Sequence, residues 1–355
     1  MSVAPHPAAP PGGLQGTRVV LARRVVGSPT REDFRLESYD VPELREGEVL
    51  VRTFLISADP GSRSILSGDS SYTQALDVGN VMEGFAMGEV VASLNPRYAA
   101  GDVVTLGAGW QTHAVVGGRG YLSRIEDRRL PWSYWIGVLG VPGMTAYFGL
   151  RRVAQLAEGE TVVISSAAGP VGATAGQLAR LWGAGRVVGI AGGPAKCAWL
   201  REVVGFDEVI DRHARPDLAA ALAEACPKGI DVLFDNVGAT MIDAALPLMK
   251  VRGRIVASGA VGDYNVPPAE RARVANTDLF ISRRLRMEGL VVFDDLRSFR
   301  AAQAEVADMI LSGRLLVAEM IADGIERLPE MFCGLFEGEG FGRRLVRVGP
   351  EPSHA

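Results

Sequence analysis

Residues 165–176 read SSAAGPVGATAG, a run of small side chains in which Ala167, Gly169 and Gly172 fall at the spacing A-x-G-x-x-G, with Gly176 one helical turn further on. Small residues at that spacing let backbone N–H groups approach a pyrophosphate. A helix that starts there adds unpaired donors and a partial positive charge. The pattern alone also fits a plain structural turn; its place between an apolar strand and an amphipathic helix points to a dinucleotide, with Gly169, Pro170, Val171 and Gly172 bracketing the pyrophosphate. The next apolar run ends GIAGGPAK, which has no carboxylate but offers Gly192, Gly193 and then Lys196. A carboxylate there would hydrogen-bond a free ribose 2′-OH and repel a 2′-phosphate. Two glycines admit the phosphate and Lys196 can pair with it, unless it is only an exposed helix lysine. Arg212, after the third strand, adds a second positive charge, so NADP(H) is favoured over NAD(H).

The elements that must hold these residues alternate from about residue 161 to 293. TVVISSA is a continuous apolar strand of the kind buried on both faces, and VGATAGQLARLWG is a helix with Leu178, Leu181 and Trp182 on one side. RVVGIAG, DEVID, GIDVLFDNVG, GRIVASGAVGDY and RMEGLVVF supply five more strands with helical stretches between them. Six strands alternating with helices form a doubly wound parallel sheet, the Rossmann arrangement. Ahead of it, from Thr17 to Arg124, short β-type runs such as GEVLVRTFLISA and MGEVVASL are separated by Gly, Pro and Asp, which reads as a compact all-β barrel or sandwich. The segment PWSYWIGVLGVPGMTAYFGLRRVAQL reads as helices broken around Pro142–Gly143, and GFGRRLVRVG near the end as a strand returning to the β domain. The expected division is therefore a disordered Pro/Ala/Gly leader over 1–16, a discontinuous β domain over 17–138 and 313–355, and a dinucleotide domain over 139–312.

Composition narrows the function classes. The chain has 355 residues, 37 Lys and Arg against 41 Asp and Glu, and a formal net charge of −4. The charges are scattered, so nothing suggests a nucleic-acid face or a basic membrane patch. No apolar run approaches the roughly 20 residues of a membrane helix. Cys197, Cys226 and Cys333 are odd in number and far apart, which fits a reducing cytoplasm rather than a disulfide framework. Residues 1–196 contain no cysteine, and His113 is the lone histidine of the β domain proper, so zinc ligands of the Cys/His type are missing and no metal is expected.

AAGPVG, VVGIAGGPAKC, GIDVLFDNVG, GRIVASGAVGDYN and MEGLVV, in that order, resemble the zinc-independent medium-chain dehydrogenase/reductases, and most of all the NADPH-dependent alkenal, prostaglandin and curcumin reductases. GVLGVPGMTAYFGL and AGWQTHAVV extend the resemblance into the first domain. It implies a GroES-like β-barrel-type first domain beside the six-stranded Rossmann sheet, and a homodimer through the sixth strand. It implies further that Tyr264 of the Tyr264-Asn265 pair stabilises the enolate formed when hydride adds to the β carbon of an enone or enal. Asn236, the run Ser258, Gly259, Ala260 and Val261, the backbone of Leu290, Val291 and Val292, and Thr145 would contact the coenzyme.

Three places depart from the family pattern. D-P-Y-M-R becomes Asp59-Pro60-Gly61-Ser62-Arg63, losing a tyrosine that helps wall the substrate pocket. G-x-N-x-G-K becomes GEGFGR, with Gly340 in place of an asparagine and Arg343 in place of a lysine. Arg212 stands where relatives often carry tyrosine. A quinone reductase of the ζ-crystallin type and a non-catalytic NADP(H)-binding protein stay open as alternatives, and loops such as Ser67–Val81 carry no readable code for the substrate.

Overall fold

The computed structural model describes residues 13–67, 74–118 and 120–353. Most of the expected leader and part of the Ser67–Val81 loop lie outside the described residues. The chain forms two compact units: one takes it through Ile136, then Met320–Glu339 and from Arg344 on, the other takes Gly137–Glu319 and Gly340–Arg343.

In the first unit β1 (Gln15–Leu21) and β2 (Phe34–Asp40) pair as an antiparallel ribbon, Gln15 opposite Asp40 and Leu21 opposite Phe34. Strand pairing thus begins at Gln15, inside the segment expected to be leader, because β2 supplies a partner for it. The remaining strands are β3 (Val49–Ser57), β4 (Ala86–Ser93), β5 (Val103–Leu106), β6 (His113–Val116) and β7 (Leu122–Arg124). β3 is the axis, antiparallel to both β4 and β6. Gly88 lets β4 lie against it, since a Cβ there would fall 2.2 Å from Val51 Cγ1.

The second unit opens with α1 (Val141–Phe148), which carries Pro142 in its first turn and runs on as a π-helical turn over Gly149–Ala154. Pro142–Gly143 therefore starts a helix rather than breaking one: proline loses nothing where no N–H acceptor exists. Then follow β8 (Thr161–Ile164), α2 (Pro170–Leu181), β9 (Arg186–Ala191), α3 (Pro194–Trp199), β10 (Glu208–Asp211), α4 (Leu218–Ala225), β11 (Ile230–Asp235), α5 (Ala239–Ala245), β12 (Met249–Ala257), α6 (Asp278–Arg283), β13 (Arg286–Gly289) and α7 (Phe299–Leu311). The six strands are parallel, in the order β10-β9-β8-β11-β12-β13. Their inward residues, among them Val163, Val188, Ile190, Leu233 and Ile255, form one core with Leu222 and Ile242 of the covering helices. β13 is shorter than the apolar run RMEGLVVF suggests. After Gly289 the Leu290 N–H bonds the Ala257 carbonyl, and the chain turns into a 3-10 helix over Val292–Ser298.

The last segment serves both units. Residues 313–319 stay with the dinucleotide unit instead of the β domain, because Gln177 of α2 brackets Leu316: its Nε2 donates to the Leu316 carbonyl at 3.0 Å and its Oε1 accepts the Leu316 N–H at 2.7 Å. β14 (Glu319–Asp323), α8 (Leu328–Glu337) and β15 (Arg343–Arg347) follow. β15 pairs antiparallel with β3 and takes an inner place in a seven-stranded sheet ordered β14-β15-β3-β4-β5-β7, with β6 as the seventh strand on β3. Phe332 of α8 meets Phe34 and Trp110 at ring distances of 5.8 and 5.7 Å, which seals the first unit's core.

Candidate functional site

β8 lies between β9 and β11, so its C-terminal end is the point where the strand order reverses, the place where α/β sheets bind ligands. The turn after it is built from backbone. Ser166 takes a left-handed φ of 49°. Ala167 N–H bonds the Ile190 carbonyl and Gly169 N–H the Ser166 carbonyl, and Gly169 then caps α2 in an extended conformation with Pro170 at the first position. A Cβ on Gly172 would fall 2.6 Å from the Ser166 carbonyl oxygen and 2.7 Å from Ala167 Cα, and one on Gly176 would enter the Phe206 ring at 2.1 Å. The helix thus sits directly on the turn, with the first-turn N–H groups of Val171 and Gly172 beyond the reach of intrahelical acceptors. This turn fits a pyrophosphate, which needs close backbone approach and donors at a helix start.

The second predicted cluster gathers at the ends of β9 and β10. Gly193 (φ 90°) leads into α3, which carries half-buried Lys196. A Cβ on Gly192 would fall 2.8 Å from His213 Cε1 and 3.2 Å from Arg212 Nε, so these two exposed side chains border the glycine turn. Asp211, the only carboxylate of β10's end, accepts the N–H groups of Gly193 at 2.9 Å and His213 at 3.0 Å. The Gly193 bond, with further N–H groups of the turn, holds its carboxyl below the usual range. Its charge is thereby spent on the turn. His213 is a residue that sequence reasoning missed; its place directly after Arg212 was the available signal.

The third cluster joins two loops at the ends of β11 and β12. Ser258 and Gly259 donate to the Asp235 carbonyl, Val261 to that of Asn236 and Gly262 to that of Val237. Asp235, also missed although it belongs to the FDNVG run, is buried beneath them. It accepts Ser165 Oγ at 2.6 Å and the N–H groups of Val237 and Gly238 at 3.2 and 2.8 Å, while burial pushes its carboxyl up to about 6. Ser165 in turn accepts the Asn236 N–H on its hydroxyl and Asn236 Nδ2 on its carbonyl, both at 2.8 Å, and so orients the amide. Tyr264 is half-buried and its hydroxyl oxygen accepts the Ala260 N–H at 3.4 Å. Of the remaining predicted residues, Leu290 and Val292 are buried and Val291 is exposed. Buried Thr145 uses its hydroxyl proton on the Val141 carbonyl inside α1.

The first unit holds a cavity of about 310 Å³ whose wall includes Asp59, Ser62, Met82, Glu83 and Phe85. It adjoins the Asp59–Arg63 stretch that the motif comparison singled out, and a Cβ on Gly61 would meet nothing within 4 Å. Buried Arg63 gives its guanidinium to the Gly27 carbonyl at 2.7 Å and to Ser67 Oγ at 2.5 Å, which anchors the stretch from below. Among the described residues no group of three or more His, Cys, Asp or Glu side chains could hold a metal ion. His113 opens β6 with Nδ1 at 3.2 Å from Thr112 Oγ1; burial and the Arg52 charge hold it below the ordinary histidine range. All three cysteines are buried and free, and burial pushes the Cys226 and Cys333 thiols up to about 11 and about 12.

A parallel sheet with strand order 3-2-1-4-5-6, a glycine-started helix at its switch point and an antiparallel unit built from both ends of the chain define a medium-chain dehydrogenase/reductase. Residues 17–123 match the family model described as N-terminal domain of oxidoreductase, and residues 170–309 the one described as zinc-binding dehydrogenase. The chain is 42% identical over 335 residues to the NADPH-dependent curcumin reductase of Escherichia coli strain K12, covering 93% of this chain and 96% of that one. It is 36% identical over 342 residues to the NADP(+)-dependent 2-alkenal reductase of Nicotiana tabacum, covering 95% and 99%. The crystal structure of CurA in complex with NADPH from Vibrio vulnificus superimposes with a TM-score of 0.87 at 36% identity, covering 94% of this chain and all of that one (100%). The chain belongs to the medium-chain dehydrogenase/reductase family that contains the curcumin, 2-alkenal and prostaglandin reductases.

Proposed function

We propose that this protein uses NADPH to reduce the C=C bond of α,β-unsaturated ketones or aldehydes. NADPH, when bound, supplies the hydride that adds to the β carbon. The first-turn N–H groups of α2 and the Gly169–Gly172 turn hold the pyrophosphate, while Lys196 and Arg212, beside the Gly192–Gly193 turn, pair with the 2′-phosphate. Asn236, the run Ser258–Val261, Leu290–Val292 and Thr145 line the nicotinamide side.

The observation that carries the reading is the likeness to the NADPH-dependent curcumin and 2-alkenal reductases, together with a strand-to-helix turn that fits a pyrophosphate. Tyr264, whose oxygen accepts the Ala260 N–H, carries a phenolic proton that a carbonyl oxygen can accept. Placed on the acceptor's carbonyl oxygen, that proton stabilises the negative charge gathering there, and Tyr264 can also pass it on to the α carbon. Asp235 and Ser165 act one layer beneath, fixing Asn236 and the loop that ends in Tyr264. The same reading makes the protein a cytoplasmic homodimer through β13. That strand ends the sheet, and Met287, Val291 and Phe293 on or beside it are 43%, 57% and 38% exposed.

The test is oxidation of NADPH, and separately of NADH, with a medium-chain 2-alkenal, an aryl enone and a quinone as acceptors and products identified by mass. We expect saturation of the C=C with NADPH in preference to NADH. Tyr264→Phe should lower kcat by about 100-fold and leave the Kd for NADPH within about twofold. Turnover of the quinone alone would overturn the reading.

A further inference from the structure

The cavity of the first unit has an unbalanced charge. Asp59 and Glu83 both border it, and among the described residues no lysine, arginine or histidine does. Asp59 accepts the Ser57 hydroxyl on Oδ2, so part of its charge is held. Among the described residues Glu83 has no hydrogen-bond or ion-pair partner. It is exposed on the cavity wall, and the protein packed around it pushes its carboxyl above the ordinary range. Arg63, the basic residue of the adjoining stretch, has its donors committed to Gly27 and Ser67. Around Glu83 the wall is apolar or backbone: Met82, Phe85 and Ala108 among it.

We propose that Glu83 sorts acceptors by charge, so that the cavity takes neutral enones, those bearing hydroxyl groups included, and rejects enones that carry a carboxylate. The proposal takes this cavity, which adjoins the Asp59–Arg63 stretch where the family pattern has a pocket-walling tyrosine, as the acceptor's seat, and so rests on the ene-reductase reading. A carboxylate brought beside Glu83 meets a like charge at the protein surface and, among the described residues that line the cavity, no cation with which to pair. A hydroxyl in the same place donates to the Glu83 oxygen, a charge-assisted bond. Rejection of this kind works through an unfavourable contact, the device by which sites separate ligands of equal shape.

Two probes of matched shape separate charge from size: 4-phenyl-3-buten-2-one carrying a para-carboxamide and the same enone carrying a para-carboxylate. With the full-length protein and NADPH, kcat/KM should favour the carboxamide by about tenfold or more, most of it in KM. Glu83→Gln should bring the ratio within about threefold and Glu83→Asp should preserve it. In the unmodified protein 0.5 M NaCl should also narrow the ratio, because screening weakens a partly exposed like-charge contact. A ratio near one in the wild type overturns the proposal, as does a ratio that Glu83→Gln leaves unchanged. Calorimetric titration of the two probes into the protein gives the same ratio from Kd. If neither probe is reduced, the ene-reductase reading fails while the binding ratio still decides the charge filter.

Discussion

The two candidate ligand regions are made in opposite ways. In the dinucleotide unit the loops at the strand ends are knitted by backbone bonds. Residues 258–262 are tied to 235–237, Gly193 and His213 share Asp211, and Gly172 admits no side chain at all. In the first unit the cavity's wall mixes the side chains of Asp59, Met82, Glu83 and Phe85 with loop backbone, Gly61 has open space where a Cβ would stand, and Glu83 has no hydrogen-bond or ion-pair partner among the described residues. A region whose geometry belongs to the backbone accepts one ligand shape and tolerates little change. One whose geometry belongs to loop side chains can be re-cut for new acceptors without touching the fold.

The comparison can be broken most directly at Gly172. Gly172→Val puts a branched side chain where even a Cβ stands 2.6 Å from a carbonyl oxygen, so α2 must lift off the turn. We expect the Kd for NADPH to rise by about 100-fold or more and stability to fall by about 1–3 kcal/mol, read by calorimetry and by denaturant unfolding.

A subtler break lies beneath the loops. Asp235→Asn places an amide NH₂ where a carboxylate oxygen accepts the Val237 or Gly238 N–H, which should cost about 2 kcal/mol at pH 7 and weaken NADPH binding through Asn236. The pH profile has a defined sign. The folded value of about 6 lies above the unfolded value of about 3.9. This carboxyl therefore favours the folded state fully below pH about 4, and that contribution fades as pH rises through about 6. Urea midpoints between pH 4 and 7 should show this decline in the wild type, and the Asp235→Asn profile should lack it.

The smallest effect on the fold is expected at Gly61. Gly61→Tyr restores the family's side chain into open space, so the unfolding free energy should move by less than about 0.5 kcal/mol. Coenzyme affinity should hold, and only the KM for bulky aryl enones should change. A large loss of stability there would show that the first unit is as tightly specified as the second.

The same contrast explains what the sequence disclosed. A-x-G-x-x-G, the glycine pair before Lys196 and the six apolar strands are legible because they are demands of backbone geometry, which leave small residues and fixed spacings in the chain. β2 is not, since it lies in a two-stranded ribbon and leaves Leu36 46% exposed, so burial imposes little pattern on FRLESYD. The reach of β13 is misjudged because Leu290–Phe293 is apolar for reasons other than strand pairing: Leu290 and Val292 are buried and the chain is already turning. The hold of Gln177 on Leu316 spans 139 residues and no local signal could announce it. Asp235 looks like a loop carboxylate until the loops around it are closed.

The inner place of β15 between β14 and β3 bears on how the protein is made. Synthesis runs from the N-terminus, yet the first unit's sheet stays open on one side until residues 343–347 have left the ribosome. The second unit, continuous through residue 319, can assemble while the chain is still growing. The half that emerges first is thus the half that finishes last. Its long-range closure is the slow step to look for in refolding, and a chain stopped short of Arg343 would leave Leu55–Ser57, the part of β3 that β15 covers and β6 does not, unpaired on that side and able to pair with other chains.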